Sequence, residues 1–388
     1  MKKILLGVSG GIAAYKIPEL VRLFLKENCL VKTILTENAL RFCAKDAVAA
    51  LSGGSVYSGL FEPVFLDEGH TELAAWPDVI VVAPATANTI AKLAMGIADN
   101  LLTATCLASP RPRLIVPSMN TEMYNADALQ KNLGALTDRG DSVLPPDVGD
   151  LACKTYGVGR MPDLTVIVEA AHRTAGPSRL RGRRVLISAG ASVEPIDDVR
   201  VMTNRSSGKM GTALAKIAYR MGADVTLVLG KSEVCPLPPV DIRRADTIES
   251  FQKLYADLAP SSDFFLAAAA IGDFVPAGRR RGKIPRSSGK YSLELVSSPD
   301  LLAGIARRKS KIQKTIGFSL QTRLDPAAAR AKLRQKHLDA IFLNQTSAME
   351  SDQNAGIALS GAGGRRAFER MPKAELAGKL WEWIAQLD

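Results

Sequence analysis

Aromatic residues make up only 5% of the 388-residue chain, so any large core must be filled by aliphatic side chains. Histidine occurs three times, as His70, His172 and His337, at separations that fit no zinc site. The five cysteines, Cys29, Cys43, Cys106, Cys153 and Cys235, are odd in number and widely spaced, with no Cys-x-x-Cys. This excludes a disulfide framework and fits a reduced, cytoplasmic chain. No apolar run approaches the roughly 20 residues that cross a bilayer. The longest, 264–271, is strand-length, so no membrane association is expected. Met1-Lys2-Lys3 ahead of Ile4-Leu5-Leu6 imitates a signal peptide, but Gly7, Gly10 and Gly11 break the apolar stretch. A first core strand is the better reading.

What is present is an ordinary globular balance, 47% hydrophobic and 23% charged. At about 150 residues per domain, the length suggests two or three domains. Charge is uneven. Residues 1–178 carry 16 Lys+Arg against 18 Asp+Glu, whereas residues 179–388 carry 34 against 21. The second half is therefore suited to a polyanionic partner: a nucleoside triphosphate, a phosphorylated metabolite or a nucleic acid.

Continuous apolar runs alternate with helical stripes. Ile4–Val8, Val31–Leu35, Val79–Ala83 and Leu114–Val116 read as buried strands, and Ala13, Ile17, Leu20, Val21 and Phe24 fall on one helical face. The pattern lapses at 174–183, TAGPSRLRGR, which reads as a linker. It then restarts with strands at Val185–Ser188, Val225–Leu229, Phe264–Ala268, Thr315–Phe318 and Ala340–Leu343, and a helix stripe of Ala213, Leu214, Ile217, Ala218 and Met221. The expectation is an α/β protein with two Rossmann-like, doubly wound domains, 1–176 and 177–388, each on a mainly parallel sheet. The pentapeptide RSSGK occurs at 205–209 and again at 286–290, a length at which chance recurrence suffices.

Candidate chemistry in the first half follows the strands. GVSGGIAAYK, 7–16, places Ser9, Gly10 and Gly11 where a strand meets a helix, so backbone N–H groups are open to a phosphate. It is neither GxGxxG nor a Walker loop, and a plain tight turn explains it equally well. APATANT puts Thr86 and Asn88 at the carboxyl edge of the sheet, where ligands of open α/β folds bind; either residue would also serve as a helix N-cap. GHTEL carries His70, PSMN carries Met119 and Asn120, and a glycine-rich loop carries Cys153. Each alone is more often structural; the information lies in the set.

In the second half, SAG with Gly190 and NRSSGKMG with Asn204 again place glycines between strand and helix. FFLAAAAIGD ends a strand in small residues, Ala269 and Ala270 among them, that permit flat contact with a base. It closes on Asp273, a candidate for magnesium or a ribose hydroxyl. In 279–290, RRRGKIPRSSGK, six of twelve residues are basic and none acidic. Its Gly and Ser suggest a flexible lid over phosphates, or simply a solvated loop. Aromatics for stacking bases are nearly absent from it, which argues against nucleic acid.

Taken in order, these motifs resemble the bifunctional phosphopantothenoylcysteine decarboxylase/phosphopantothenate–cysteine ligase family, over essentially the whole chain. The resemblance implies an FMN site in the first half, with Ser9, Gly10, Gly11, Thr36, Phe42, Thr86, Asn88 and Met119 at cofactor-contacting positions. Asp99 and Asn100 fall in a segment associated with the flavin and subunit contact. It implies flavin-dependent oxidation of a cysteinyl group to a thioaldehyde, loss of carbon dioxide and re-reduction of the enethiolate. His70 would handle a proton or the carboxylate, Asn120 would hold the carboxylate, and Cys153 would protonate the enethiolate. For the second half it implies CTP-dependent joining of 4′-phosphopantothenate to cysteine through an acyl-cytidylate. Asn204 and Lys283 are then catalytic. Gly190, Ala269, Ala270, Asp273, Lys283, Phe318 and Asn344 contact the nucleotide, and Asp273 binds Mg²⁺. Self-association into a homododecamer of trimers and dimers is implied as well.

The chain departs from the family pattern at Lys154, where a glycine is usual, and at Pro285, Ser298, Gln321 and Gln345. A lysine at 154 is expected to lower the thiol pKa of Cys153. Alternatives that use the same residues are a flavin decarboxylase with a degenerate, scaffolding ligase half, and a non-catalytic regulatory flavoprotein.

Overall fold

The computed structural model describes residues 1–60, 69–234, 239–286, 291–307, 313–349 and 351–387. Cys235 and the end of the second RSSGK, 287–290, lie outside the described residues. The chain divides into two compact units, Met1–Gly176 and Pro177–Asp388. None of the described helices is long and apolar enough to cross a membrane.

The first unit contains β1 (Lys3–Val8), α1 (Ile17–Lys26), β2 (Leu30–Leu35), α2 (Lys45–Ser52), β3 (Val56–Tyr57), α3 (His70–Ala75), β4 (Val79–Ala85), α4 (Ala87–Met95), α5 (Leu101–Ala108) and β5 (Arg113–Pro117). It continues with α6 (Thr121–Asn125), α7 (Asp127–Asp138), β6 (Ser142–Val143), β7 (Asp147–Asp150), β8 (Tyr156–Arg160) and α8 (Leu164–Thr174). Six strands form a sheet in the order β3-β2-β1-β4-β5-β6, with every pairing parallel. β1 is central and buried on both faces. Ile4, Leu6 and Val8 face α1 and α8, while Leu5 faces the cluster of α4, α5 and α7. This is why the strand reads as a continuous apolar run. Ala13 lies in a 3₁₀ turn, Ile12–Lys16, ahead of α1, because Pro18 has no N–H to extend the helix backward.

The second unit contains β9 (Arg184–Ala189), β10 (Val193–Pro195), β11 (Val201–Thr203), α9 (Lys209–Arg220), β12 (Asp224–Leu229), β13 (Asp241–Arg244), α10 (Ile248–Leu258), β14 (Phe264–Ala267), β15 (Phe274–Pro276) and β16 (Leu295–Ser297). It ends with α11 (Leu301–Ala306), β17 (Lys314–Gln321), α12 (Pro326–Gln335), β18 (Ala340–Gln345), β19 (Gln353–Ser360), β20 (Arg365–Pro372) and α13 (Lys373–Ile384). Its eight-stranded sheet runs β13-β12-β9-β14-β17-β18-β19-β20, parallel as far as β18 and closed by an antiparallel pair. Trp381 of α13 is fully buried; it donates to the Leu214 carbonyl at 2.9 Å and meets Phe264 edge to face.

Several expected strands have other ends, β14, β17 and β18 among them. β14 stops at Ala267, because the Ala268 N–H turns back to the Leu266 carbonyl at 3.2 Å and the ladder ends there. β17 and β18 run on together to Gln321 and Gln345, so Asn344 sits in a strand.

Candidate functional sites

In each unit most of the expected residues gather at the carboxyl edge of the parallel sheet, Lys283 being an exception. In the first, Ser9 follows β1 and is buried; its hydroxyl donates to the Pro84 carbonyl at 2.6 Å and accepts from the Thr86 N–H at 2.8 Å. Ser9 thus ties β1 to the end of β4, and its proton is already committed. Gly10 packs against the backbone of Asn38, leaving no room for a side chain. At Gly11 a Cβ would meet Thr86 Cγ2 at 3.4 Å and the Ser118 carbonyl at 4.0 Å, so this glycine faces the gap between the ends of β4 and β5. Thr86 caps α4, accepting from the Thr89 N–H at 3.4 Å, which realises the capping reading. Asn88 is exposed on that helix, and Phe42 is exposed after β2. Thr36 Oγ1, just past β2, is buried without a hydrogen-bond partner. A buried hydroxyl with no partner at a ligand-binding edge fits a cofactor's polar group.

Asn120 caps α6 through Oδ1, which accepts from the Glu122 N–H at 2.8 Å, and its Nδ2 donates to Cys153 Sγ at 3.4 Å. The Cys153 loop reaches Asn120 because the β7–β8 hairpin docks there: the Met119 N–H donates to the Gly159 carbonyl at 3.0 Å. Gly159 has φ 141, and a Cβ on it would strike the Met119 carbonyl. Cys153 is exposed, whereas Cys29, Cys43 and Cys106 are buried. Burial pushes the Cys106 thiol up to about 12 and also raises that of Cys43. The Cys153 thiol is lowered, first by the Thr155 hydroxyl at 3.0 Å and then by the Asn120 amide. Lys154, expected to lower the thiol, is not among the leading causes of that shift. Its backbone carries the structural consequence: φ is 63, the left-handed region that favours glycine.

His70 is the first residue of α3 and is exposed, with no hydrogen bond to Asn120 or Cys153 among the described residues. Asn100 caps α5, and Asp99 pairs with Lys92 at 2.5 Å, which lowers the Asp99 pKa.

In the second unit, Asn204, Ala269, Ala270, Asp273, Phe318 and Asn344 all line one cavity of about 910 Å³. Asn204 Nδ2 donates to the Ala270 carbonyl at 3.1 Å, which fixes the amide across the cavity mouth. Gly190 supports this wall from behind: its carbonyl accepts from the Ala270 N–H at 2.8 Å, and its φ is 81. Arg205, Lys209, Lys332, Lys336 and Lys373 also line the cavity. Lys209 pairs with Asp352 at 2.6 Å and Lys336 with Asp300 at 2.9 Å. Lys373 is buried and donates to the Ala348 carbonyl at 3.1 Å; burial, then repulsion from Lys209, lowers its pKa. The three lysines at 332, 336 and 373 escaped the sequence reading. The spacing of the first two, four residues apart at the carboxyl end of α12, was the available signal, and Lys373 had none.

Lys283 is exposed and does not line the cavity. Its segment is not a loose lid as far as Arg286. The Gly282 N–H donates to Asp198 at 2.7 Å, the Ile284 N–H to Asp197 at 3.0 Å, and Arg279 pairs with Asp198 at 2.9 Å. Burial raises the Asp197 carboxyl, but the N–H groups of Ile284, Arg200 and Val199 outweigh it and hold the group well below the usual carboxylate range. Asp273 is a single exposed carboxylate. No group of three or more His, Cys, Asp or Glu among the described residues could hold a metal. Two departures from the family pattern do structural work: Ser298 Oγ donates to the Gly272 carbonyl at 2.5 Å, and Gln321 Oε1 accepts from the Asp325 N–H at 2.7 Å.

Comparison with known proteins places these sites in a family. Residues 1–176 match the Flavoprotein family model, and 180–387 match the model of the DNA/pantothenate metabolism flavoprotein C-terminal domain. The coenzyme A biosynthesis bifunctional protein CoaBC of Vibrio cholerae is 39% identical, covering 99% of this chain and 98% of its own. The chain belongs to the CoaBC family. The Escherichia coli CoaBC protein is likewise 39% identical, over 91% of this chain and 89% of its own. A crystal structure of the C-terminal domain of a CoaBC protein is 29% identical, covers 54% of this chain and 96% of its own, and has a TM-score of 0.47.

Two measurements test the geometry. Because the thiolate is the reactive form, Thr155→Val should raise the pH midpoint of iodoacetamide alkylation at Cys153, followed by peptide mass spectrometry. Lys154→Ala should leave the midpoint in place; the reverse pattern would return the shift to the lysine. Asp198→Ala should speed trypsin cleavage after Arg279 and Arg281 several-fold, and an unchanged rate would show that Asp198 does not hold the segment.

Proposed function

We propose that the chain is a bifunctional enzyme of coenzyme A biosynthesis. Its second unit joins 4′-phosphopantothenate to cysteine with CTP, and its first unit decarboxylates the resulting 4′-phospho-N-pantothenoylcysteine to 4′-phosphopantetheine. The observation that carries the reading is the Asn120–Cys153 contact at 3.4 Å, at the edge of a flavoprotein sheet in a CoaBC-family chain.

In the first unit FMN would rest on the Ser9–Gly11 turn, Thr36, Phe42, Thr86, Asn88 and Met119. The unpartnered Thr36 hydroxyl supports this fit, as does Gly11, where a Cβ would fill the space beside Thr86, Pro84 and Ser118. Bound there, FMN supplies the two-electron chemistry that makes loss of carbon dioxide feasible. Asn120 orients the substrate carboxylate with its amide. Cys153 delivers a proton to the enethiolate carbon, and the hydrogen bonds from Thr155 and Asn120 that lower its pKa make it a better acid. His70 holds the carboxylate or moves a proton from the start of α3.

In the second unit the phosphopantothenate carboxylate attacks the α-phosphorus of CTP, pyrophosphate leaves, and the cysteine amine then displaces CMP from the acyl carbon. Lys209, Lys332 and Lys336 neutralise phosphate oxygens, Asn204 holds the acyl group, and Lys283 acts from the strap anchored by Asp197 and Asp198. Gly190, Ala269, Ala270, Phe318 and Asn344 shape the nucleotide's seat. Asp273 would hold the Mg²⁺ that arrives with CTP, which would supply charge neutralisation at the phosphates. A lone carboxylate suits that arrangement, since magnesium keeps waters and takes few protein ligands. The reading extends to a cytoplasmic homododecamer of trimers and dimers. Exposed apolar side chains on each unit, Met95 and Leu107 on the first and Val199 and Phe274 on the second, are available for such contacts.

With FMN-loaded protein, phosphopantothenate, cysteine, CTP and Mg²⁺, pyrophosphate and carbon dioxide should appear in matching amounts. Cys153→Ser should still release pyrophosphate but form phosphopantetheine at least about a hundredfold more slowly, the scale of a lost general acid. Carbon dioxide formed only from supplied adduct, with no pyrophosphate, would instead mark the second unit as a scaffold.

A further inference from the structure

We propose that Ser319 is a ligand-binding residue of the second unit, its hydroxyl donating to a phosphate oxygen of the nucleotide beside Lys332 and Lys336. The proposal rests on the ligase reading and adds a contact that its motifs do not contain.

Ser319 lies near the end of β17, is 5% exposed and lines the cavity, yet its Oγ has no hydrogen-bond partner. Buried hydroxyls are nearly always partnered, because water lost on burial must be replaced. The direction of the side chain follows from the strand. Phe318 turns to one face, its ring 5.5 Å from that of Phe342. Gly317 and Ser319 therefore share the other face. At Gly317 a Cβ would meet Leu338 at 2.8 Å and Leu302 at 3.3 Å, which identifies that face as the one covered by α11 and α12. Leu343, the register partner of Ser319, packs with Leu333 of α12 in the same cluster.

Ser319 thus opens into the cavity on the side where Lys332 and Lys336 line it. Lys332 lies in the last turn of α12 and Lys336 is the residue that caps its carboxyl end, four positions on. Lys336 is balanced by Asp300 at 2.9 Å, whereas Lys332 forms no ion pair among the described residues. A wall with an uncompensated cation and an unpartnered hydroxyl is complementary to an anionic oxygen, and a hydroxyl bonded to such an oxygen makes one of the stronger hydrogen bonds.

Isothermal titration with Mg²⁺ tests the assignment, using CTP and inorganic tripolyphosphate as probes on the full chain and on Ser319→Ala. Both ligands should bind the variant about tenfold more weakly. Without ligand, the variant should melt no lower than the parent, because the hydroxyl it loses has no partner in the free protein. Weaker binding of CTP alone would place the contact on the nucleoside and overturn the phosphate assignment. A lower melting temperature without ligand would make the hydroxyl structural. Unchanged CTP affinity in the variant would refute the role of Ser319 while sparing the ligase reading. No binding of CTP to the parent chain would remove that reading and this proposal together.

Discussion

All strands of a parallel sheet end their carboxyl termini on one edge, and the loops that leave that edge diverge where the strand order reverses. This constraint governs both units. In the first the order reverses between β1 and β4, and the Ser9 hydroxyl bridges their ends. In the second it reverses between β9 and β14, and the isolated bridge between Ala191 and Ala270 lies there. The crevices so formed are lined by backbone and small side chains because the strands behind them are buried on both faces. Chemistry can therefore be added by short loops without disturbing either core.

The two edges are finished differently. The first is nearly neutral in character and depends on hydroxyls, amides and one thiol. Its thiol is set by local hydrogen bonds, as Thr155 and Asn120 lower the Cys153 pKa while burial raises that of Cys106. The second edge gathers cations. Lys209 and Lys336 are held by carboxylates, and Lys373 is pressed toward its neutral form by burial and by Lys209. Anions entering such a cavity relieve repulsion between fixed charges as well as gaining contacts. Residues 279–284 of the basic strap beyond it are tied to the acids Asp197 and Asp198 of another loop.

The large parallel strands were legible because a strand buried on both faces is a continuous apolar run, as in Ile4–Val8 and Val225–Leu229. The short hairpins were not. β10 and β11 are three residues each and half exposed, with no alternation to read. The Cys153 environment was half legible: Thr155 is a near neighbour in the chain, but Asn120 arrives only because Gly159 docks on Met119. The tethering of 279–284 was not legible because Gly and Ser content says nothing about Asp197 and Asp198 in a distant turn. Lys373 was invisible for the same reason, since the fold of α13 alone brings it to the cavity. The effect assigned to Lys154 did not emerge because proximity in sequence is not contact: the hydrogen bonds that lower the thiol come from Thr155 and Asn120, while Lys154 takes a left-handed turn position.

Hydrogen exchange of the full chain, with FMN and with CTP and Mg²⁺ added separately, tests the shared-edge account most directly. FMN should slow exchange in 8–15, 36–42, 84–90 and 117–121, and CTP in 204–210, 268–273, 298–302 and 317–321, with the amino edges of both sheets unchanged. Protection of the same segments by both ligands, or protection at an amino edge, would contradict it.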